Sequence, residues 1–334
     1  MGKFFKVKFG VIIIASCSLL VFIFIVVAAV AGGSAGEAYM QEQVNQMRIN
    51  SKVINSQLYA TKYRSILNQN MLSHGYVTLE RLVFYLQRKH NQLDVSTLSL
   101  EEWKKAYFEN VNSEEKQMVP IKTICKKIAS DNTFPTMTIQ NGTNADGVAI
   151  DVIDLCHVDG VDVATSNDYN EYYLPLNYAF ALRTPFTITS FVFESRDIDL
   201  DLSEEQLNRT NYHSGWDFAV PIGTKFYSIC DGTISKIVNT QANDLSYNQS
   251  KNSVGNYVEV KCNNNLTAQY YHIKYKSTPF VLQPGTPVKA GDFLGLTSTT
   301  GTSTGPHLHL GLKDESGKNL DVMSYIDIKT YYGS

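Results

Sequence analysis

The stretch Gly301-Thr-Ser-Thr-Gly-Pro-His307-Leu-His309-Leu-Gly-Leu312 places two histidines two residues apart inside an alternating apolar run. In an extended strand, His307 and His309 project from one face while Leu308, Leu310 and Leu312 project from the other. Two imidazoles side by side on a core strand are unusual as packing, because each needs hydrogen-bond partners when buried. A metal or catalytic role is the better account. Outward from this run, from about Pro185, the chain is punctuated by Val220-Pro-Ile-Gly-Thr224, Asp231-Gly232, Gln283-Pro-Gly-Thr286 and Lys289-Ala-Gly-Asp292. These turns separate short strand-like runs such as Tyr257-Val-Glu-Val-Lys-Cys262 and Gln269-Tyr-Tyr-His-Ile273. Turn signals at this spacing predict an all-β sandwich or barrel.

A second histidine pairs with a carboxylate in His213-Ser-Gly-Trp-Asp217. Fully extended, those ends would stand about 13 Å apart, too far to share one ion; Gly215 supplies the bend that could bring them together. Two imidazoles and a carboxylate with one open position describe a catalytic zinc site. Such a metal acidifies bound water toward neutrality and polarises a scissile carbonyl. HxxxD alone is weak and HxH moderate, but both in one β region, with His272 on a further strand-like run, form a strong constellation.

The ordered motifs His213-x-x-x-Asp217 with Phe-Ala-Val-Pro-Ile-Gly-Thr224, Asp231-Gly-Thr233, Gly255-Asn-Tyr-Val258, Tyr270-Tyr-His272, Val288-Lys-Ala-Gly-Asp292 and Gly305-Pro-His-Leu-His-Leu310 resemble the LytM/lysostaphin-type zinc endopeptidases, peptidase family M23. The resemblance covers about residues 185 to 328. It implies an antiparallel peptidase domain of the duplicated-hybrid-motif type holding one zinc ion on His213, Asp217 and His309. It also implies that His272 and His307 act on the water and the tetrahedral intermediate, with peptidoglycan as substrate and partner. Tyr270, two residues before His272, is expected to share its strand face and help hold the oxyanion. The polar segment from Val238 to Ser253 departs from the family pattern and bears on the groove walls. An alternative from another class is a non-catalytic wall-binding adaptor with a peptidase-like fold; retention of all five site residues argues against it.

The chain has 334 residues, 43% hydrophobic and 18% charged, a composition that excludes disorder and collagen and suggests two domains. Its 29 Lys+Arg and 32 Asp+Glu give a net charge of −3. Without Lys3, Lys6 and Lys8 the balance is −6, a poor surface for nucleic acid. Those lysines precede Val11 to Ala31, 21 residues without a charge. As a helix this run is about 31 Å long, enough to cross a hydrocarbon core of ~30 Å. The expected arrangement is a cytoplasmic tail at 1–10, an uncleaved transmembrane signal anchor at 11–31 and everything after it outside. That places the C-terminal domain against the cell wall of a Gram-positive bacterium. Cleavage after Ala31 and lipidation at Cys17 compete with this reading; the length of the run favours the anchor.

Residues 32–130 are expected to form a mainly helical extracellular region, a spacer or a dock for envelope machinery. Ser99 and Glu102 have capping-box spacing, and Leu79, Leu82, Val83, Leu86 and Ile121, Ile124, Cys125, Ile128 repeat at helical intervals. Glu37 to His74 suits a long helix or stalk. Residues 131–183 read as a loop-rich β linker before the domain at 184–334, so the fold class is α+β multidomain. His74, His90 and His157 lack companions at ligand spacing and read as surface or structural. Cys125, Cys156, Cys230 and Cys262 permit two disulfides or four buried thiols.

Overall fold

Period-two alternation in the C-terminal half becomes a sheet with one apolar and one polar face. In the computed structural model, which describes residues 56–158, 161–166, 178–194, 212–242 and 254–331, that half contains ten strands. They are β1 (Thr187–Ser190), β2 (Gly215–Ala219), β3 (Lys225–Tyr227), β4 (Gly232–Val238), β5 (Tyr257–Cys262), β6 (Thr267–Tyr271), β7 (Pro287–Val288), β8 (Phe293–Leu296), β9 (His307–Lys313) and β10 (Asn319–Leu320). The main sheet is antiparallel in the order β7-β4-β5-β6-β9-β2-β1, with β10 on β9, while β8 and β3 form a separate pair.

Its inner face carries Trp216, Phe218, Val258, Val260, Ala268, Tyr270, Leu308, Leu310 and Leu312, all buried. On the opposite face one row crosses five strands in register. Tyr257 pairs with Tyr271, Tyr271 with His309, His309 with Asp217, and Asp217 with Ser190. This row carries the site.

The N-terminal part contains four described helices: α1 (Ser56–His74), α2 (Leu79–His90), α3 (Leu100–Asn110) and α4 (Ile121–Ser130). The last three start where the sequence supplies a cap or a breaker. Thr78 accepts from the Arg81 amide ahead of α2, Ser99 and Glu102 form the expected capping box ahead of α3, and Pro120 precedes α4. The stripes predicted for α2 and α4 are both buried. The chain after α4 folds back on the helices: a disulfide joins Cys125 to Cys156, and the Gln87 side chain bonds the Ile153 amide and the Asp151 carbonyl. Of the expected β character at 131–183, the described residues show two-residue ladders at 142–143 with 149–150 and at 157–158 with 161–162. The second disulfide joins Cys230 and Cys262.

The expected stalk is corrected by α1. Tyr59, Tyr63, Ile66, Leu67 and Met71 lie on one face of it and are buried, so the helix is packed rather than protruding. Residues 52–334 form one compact unit, and helices and sheet share one apolar cluster. Tyr63 meets Phe191 edge-on at 5.0 Å and Tyr76 meets Trp216 edge-on at 5.7 Å. Buried Asp321 accepts hydrogen bonds from Tyr76 Oη and Trp216 Nε1 at 2.6 and 2.9 Å. Among the described residues no helix is long and apolar enough to cross a membrane; the run at 11–31 lies outside them.

Candidate metal centre

Adjacent strands put Asp217 and His309 directly opposite one another, and the turn before β2 adds His213. The chain does not bend at Gly215, which lies in β2. Its missing side chain serves close approach instead: a Cβ there would stand 2.5 Å from Leu310 O and 2.8 Å from His309 Nε2. Just upstream, the His213 amide donates to Glu194 O and the Phe193 amide donates to His213 O.

Three atoms then converge. His213 Nε2 lies 3.0 Å from His309 Nδ1 and 3.1 Å from Asp217 Oδ1, and His309 Nδ1 lies 2.9 Å from the same oxygen. His213 Nδ1 faces the Phe191 carbonyl at 3.1 Å and Ser190 Oγ at 2.9 Å. A carbonyl only accepts, so the proton sits on Nδ1 and Nε2 presents a lone pair. On His309 the outer Nε2 faces Ser214 Oγ at 3.3 Å, leaving Nδ1 inward. Two inward imidazole nitrogens and a carboxylate oxygen, all crowded together, are satisfied at once by one cation. This donor set fits a metal ion, and the three residues form a group whose ligand atoms lie within 4.8 Å of one another.

Charge distribution agrees with that geometry. Burial works to raise the Asp217 carboxyl, yet the adjoining His213 and His309 imidazoles hold it well below the usual carboxylate range. Burial pushes His309 down to about 4 despite its bond to Asp217. Asp217 and His309 thus favour their proton-free forms at neutral pH.

Two further imidazoles stand beside the trio. His272 and His307 have ring centroids 4.6 Å apart, and His307 Nε2 is 3.5 Å from Asp217 Oδ1. His272 Nδ1 donates to Thr300 O at 2.7 Å, and His307 Nδ1 donates to Gly305 O at 2.8 Å. Both rings therefore keep Nε2 free of that anchoring. Burial, followed by the neighbouring His307 and His309, pushes His272 down to about 3. His272 has a positive φ of 61°, just past the end of β6. Thr300 is held in turn, its Oγ1 accepting from the Asn256 amide and donating to Ile273 O.

Five of the six expected site residues are brought together: His213, Asp217, His309, His272 and His307. Tyr270 is not. It is fully buried on the inner face, its ring stacks on Phe226, and its hydroxyl accepts from the Ile229 amide at 2.8 Å. The left-handed backbone at His272 breaks the alternation that would have put both residues on one face. Tyr271 lies there instead, stacked on His309 with centroids 5.0 Å apart and rings 4° from parallel. As expected, His74 and His157 lie elsewhere, bonded to Ser113 and Asp154.

Parts of the chain are similar to known proteins. Residues 211–322 match the family described as Peptidase family M23. An uncharacterized metalloprotease of Buchnera aphidicola subsp. Baizongia pistaciae is 38% identical over 99 residues, 29% of this chain and 22% of that protein. Peptidoglycan DD-endopeptidase ShyC of Vibrio cholerae is 29% identical over 153 residues, 45% of this chain and 30% of that protein. The chain thus spans less than a third of the length of these curated relatives. A zinc-containing peptidase from Vibrio cholerae, known as a crystal structure, is 26% identical, with a TM-score of 0.34, 44% of this chain and 40% of that chain covered.

Proposed function

From the premise that residues 211–322 are a Peptidase family M23 domain, we propose that the protein is a membrane-anchored zinc endopeptidase. Its substrate is bacterial peptidoglycan, cleaved at a peptide bond of the stem or cross-link. The observation that carries the chemistry is the convergence of His213 Nε2, His309 Nδ1 and Asp217 Oδ1, at separations of 2.9, 3.0 and 3.1 Å, beside two further imidazoles. The choice of substrate is supported by similarity to peptidoglycan endopeptidases such as ShyC. The uncharged run at 11–31, with lysines before it, supports the anchor and a wall-facing domain. Docking of envelope machinery on the helical region is part of the same proposal.

Zinc held by His213, Asp217 and His309 supplies Lewis acidity and an acidified water. The remaining work belongs to side chains. His272 and His307, anchored through Nδ1 to Thr300 O and Gly305 O, each offer an Nε2 lone pair. One takes the proton of the attacking water on that lone pair, and the other, in the form that carries a solvent-derived proton on Nε2, donates to the carbonyl oxygen as charge develops there. Both anchors are backbone carbonyls, so neither ring needs to rotate before reaction.

The test uses the full chain and purified peptidoglycan, following release of free amino groups and bound zinc. Release is expected to stop with chelator and resume with added zinc, and His309→Ala is expected to lose zinc and activity together. Full wall hydrolysis by a folded His309→Ala protein would overturn the assignment.

A further inference from the structure

His213 takes its aim from a turn that the helical region holds. Its Nδ1 proton goes to the Phe191 carbonyl. The Phe191 amide donates to Glu194 Oε2 at 3.0 Å, and the other oxygen of that carboxylate is paired with Arg64 of α1. One helical turn further along α1, Asn68 grips edge strand β1: its Nδ2 donates to Ile188 O at 3.0 Å and its Oδ1 accepts from the Ile188 amide at 2.7 Å. That strand also carries Ser190, the second neighbour of His213 Nδ1. Between these two polar contacts the Tyr63 ring packs edge-on against Phe191.

We propose that the helical region is a working part of the metal centre, and that Arg64 is a positioning residue that aims His213 through Glu194 and the Phe191 carbonyl. The inference rests on the metal reading above. It is specific in its route. With Arg64 present, Glu194 is held on both sides of residue 191, its carboxylate accepting from the Phe191 amide and its own amide donating to the Phe191 carbonyl at 3.1 Å, so that the carbonyl that sets the His213 tautomer points at Nδ1. Without it, the carboxylate is free to turn to solvent and the turn loses one of its two ties to α1. Partners that orient ligand histidines typically change metal affinity 10–100-fold when removed.

A second ion pair between the two regions provides the control. Lys329 Nζ meets Glu115 Oε2 at 3.1 Å, joining the helical region to the C-terminal end of the chain without touching residues 190–194. The experiment measures zinc affinity of the full chain by competition with a chromophoric chelator, and the visible spectrum of the cobalt-substituted protein, with circular dichroism as the check on folding. Arg64→Ala is expected to weaken zinc binding about 10–100-fold and alter the cobalt spectrum. Arg64→Lys should recover part of the affinity, and Lys329→Ala should change neither readout. Glu194→Gln, which keeps an acceptor for the Phe191 amide but removes the charge, is the milder variant should Arg64→Ala fail to fold, and is expected to weaken binding in the same direction. Wild-type affinity in Arg64→Ala and Glu194→Gln would overturn the relay alone. An equal loss in Lys329→Ala would overturn it in favour of general docking. A wild-type chain that binds no zinc would overturn the metal reading and the relay with it.

Discussion

Replacing Gly215 with alanine tests whether the ligand geometry depends on the close approach of β2 and β9. In an unconstrained strand the change would stabilise by about 0.5–1 kcal/mol, since glycine loses the most freedom on folding. Here the new Cβ would stand 2.5 Å from Leu310 O and 2.8 Å from His309 Nε2, against an ordinary carbon contact of about 3.5–4.0 Å. Relief requires roughly an ångström at each. The first atom is backbone of β9, which moves only if Gly215 parts from its partner Gly311. The second belongs to the ring whose Nδ1 is 2.9 Å from Asp217 Oδ1, so turning it away spoils the trio. Overpacking of this kind costs about 1–3 kcal/mol, or about 2–5 °C in Tm for a unit of this size. Zinc affinity should fall at least about tenfold with it. Thermal melts with and without zinc, together with chelator competition, measure both. An alanine variant that melts at or above wild type with unchanged affinity would refute the reasoning.

Two further outcomes follow from the same structure. Tyr270→Phe removes the acceptor of the Ile229 amide and should cost about 1–3 kcal/mol of stability while leaving kcat on peptidoglycan unchanged; lowered kcat at unchanged Tm would return Tyr270 to the site. Burial raises the Asp321 carboxyl, so its contribution to stability is full below the unfolded value and is lost as pH rises through the raised folded one. Asp321→Asn should therefore gain in Tm relative to wild type as pH rises above the ordinary carboxylate range, and a difference that shrinks with rising pH would contradict the assignment.

The chemistry was legible in the sequence because period-two spacing puts His307 and His309 on one face whatever the rest of the fold does. Asp217 and His213 followed from spacing and a nearby glycine, though the role expected of Gly215 differed from the one observed. Tyr270 was misplaced because parity arguments assume an unbroken strand, and nothing in Tyr-Tyr-His shows that backbone sign changes at the histidine. The groups that orient the rings, the carbonyls of Phe191, Thr300 and Gly305, were illegible for a different reason: every residue has a carbonyl, so no residue type marks the ones in use. The stripe on α2 could be read, but a stripe does not say what covers it. Packing of α1 against Phe191 had no signature short of the fold.

The common core of helices and sheet also sets where the chain can be severed. Trp216, Phe191 and Asp321 each find a partner on the helical side, so a protease that removed residues 56–130 would leave two aromatic faces and a buried carboxylate open to water. The segment just after α4 is itself tied to the helices through Cys156 and Gln87. A C-terminal part released by such a cut would thus be a damaged one.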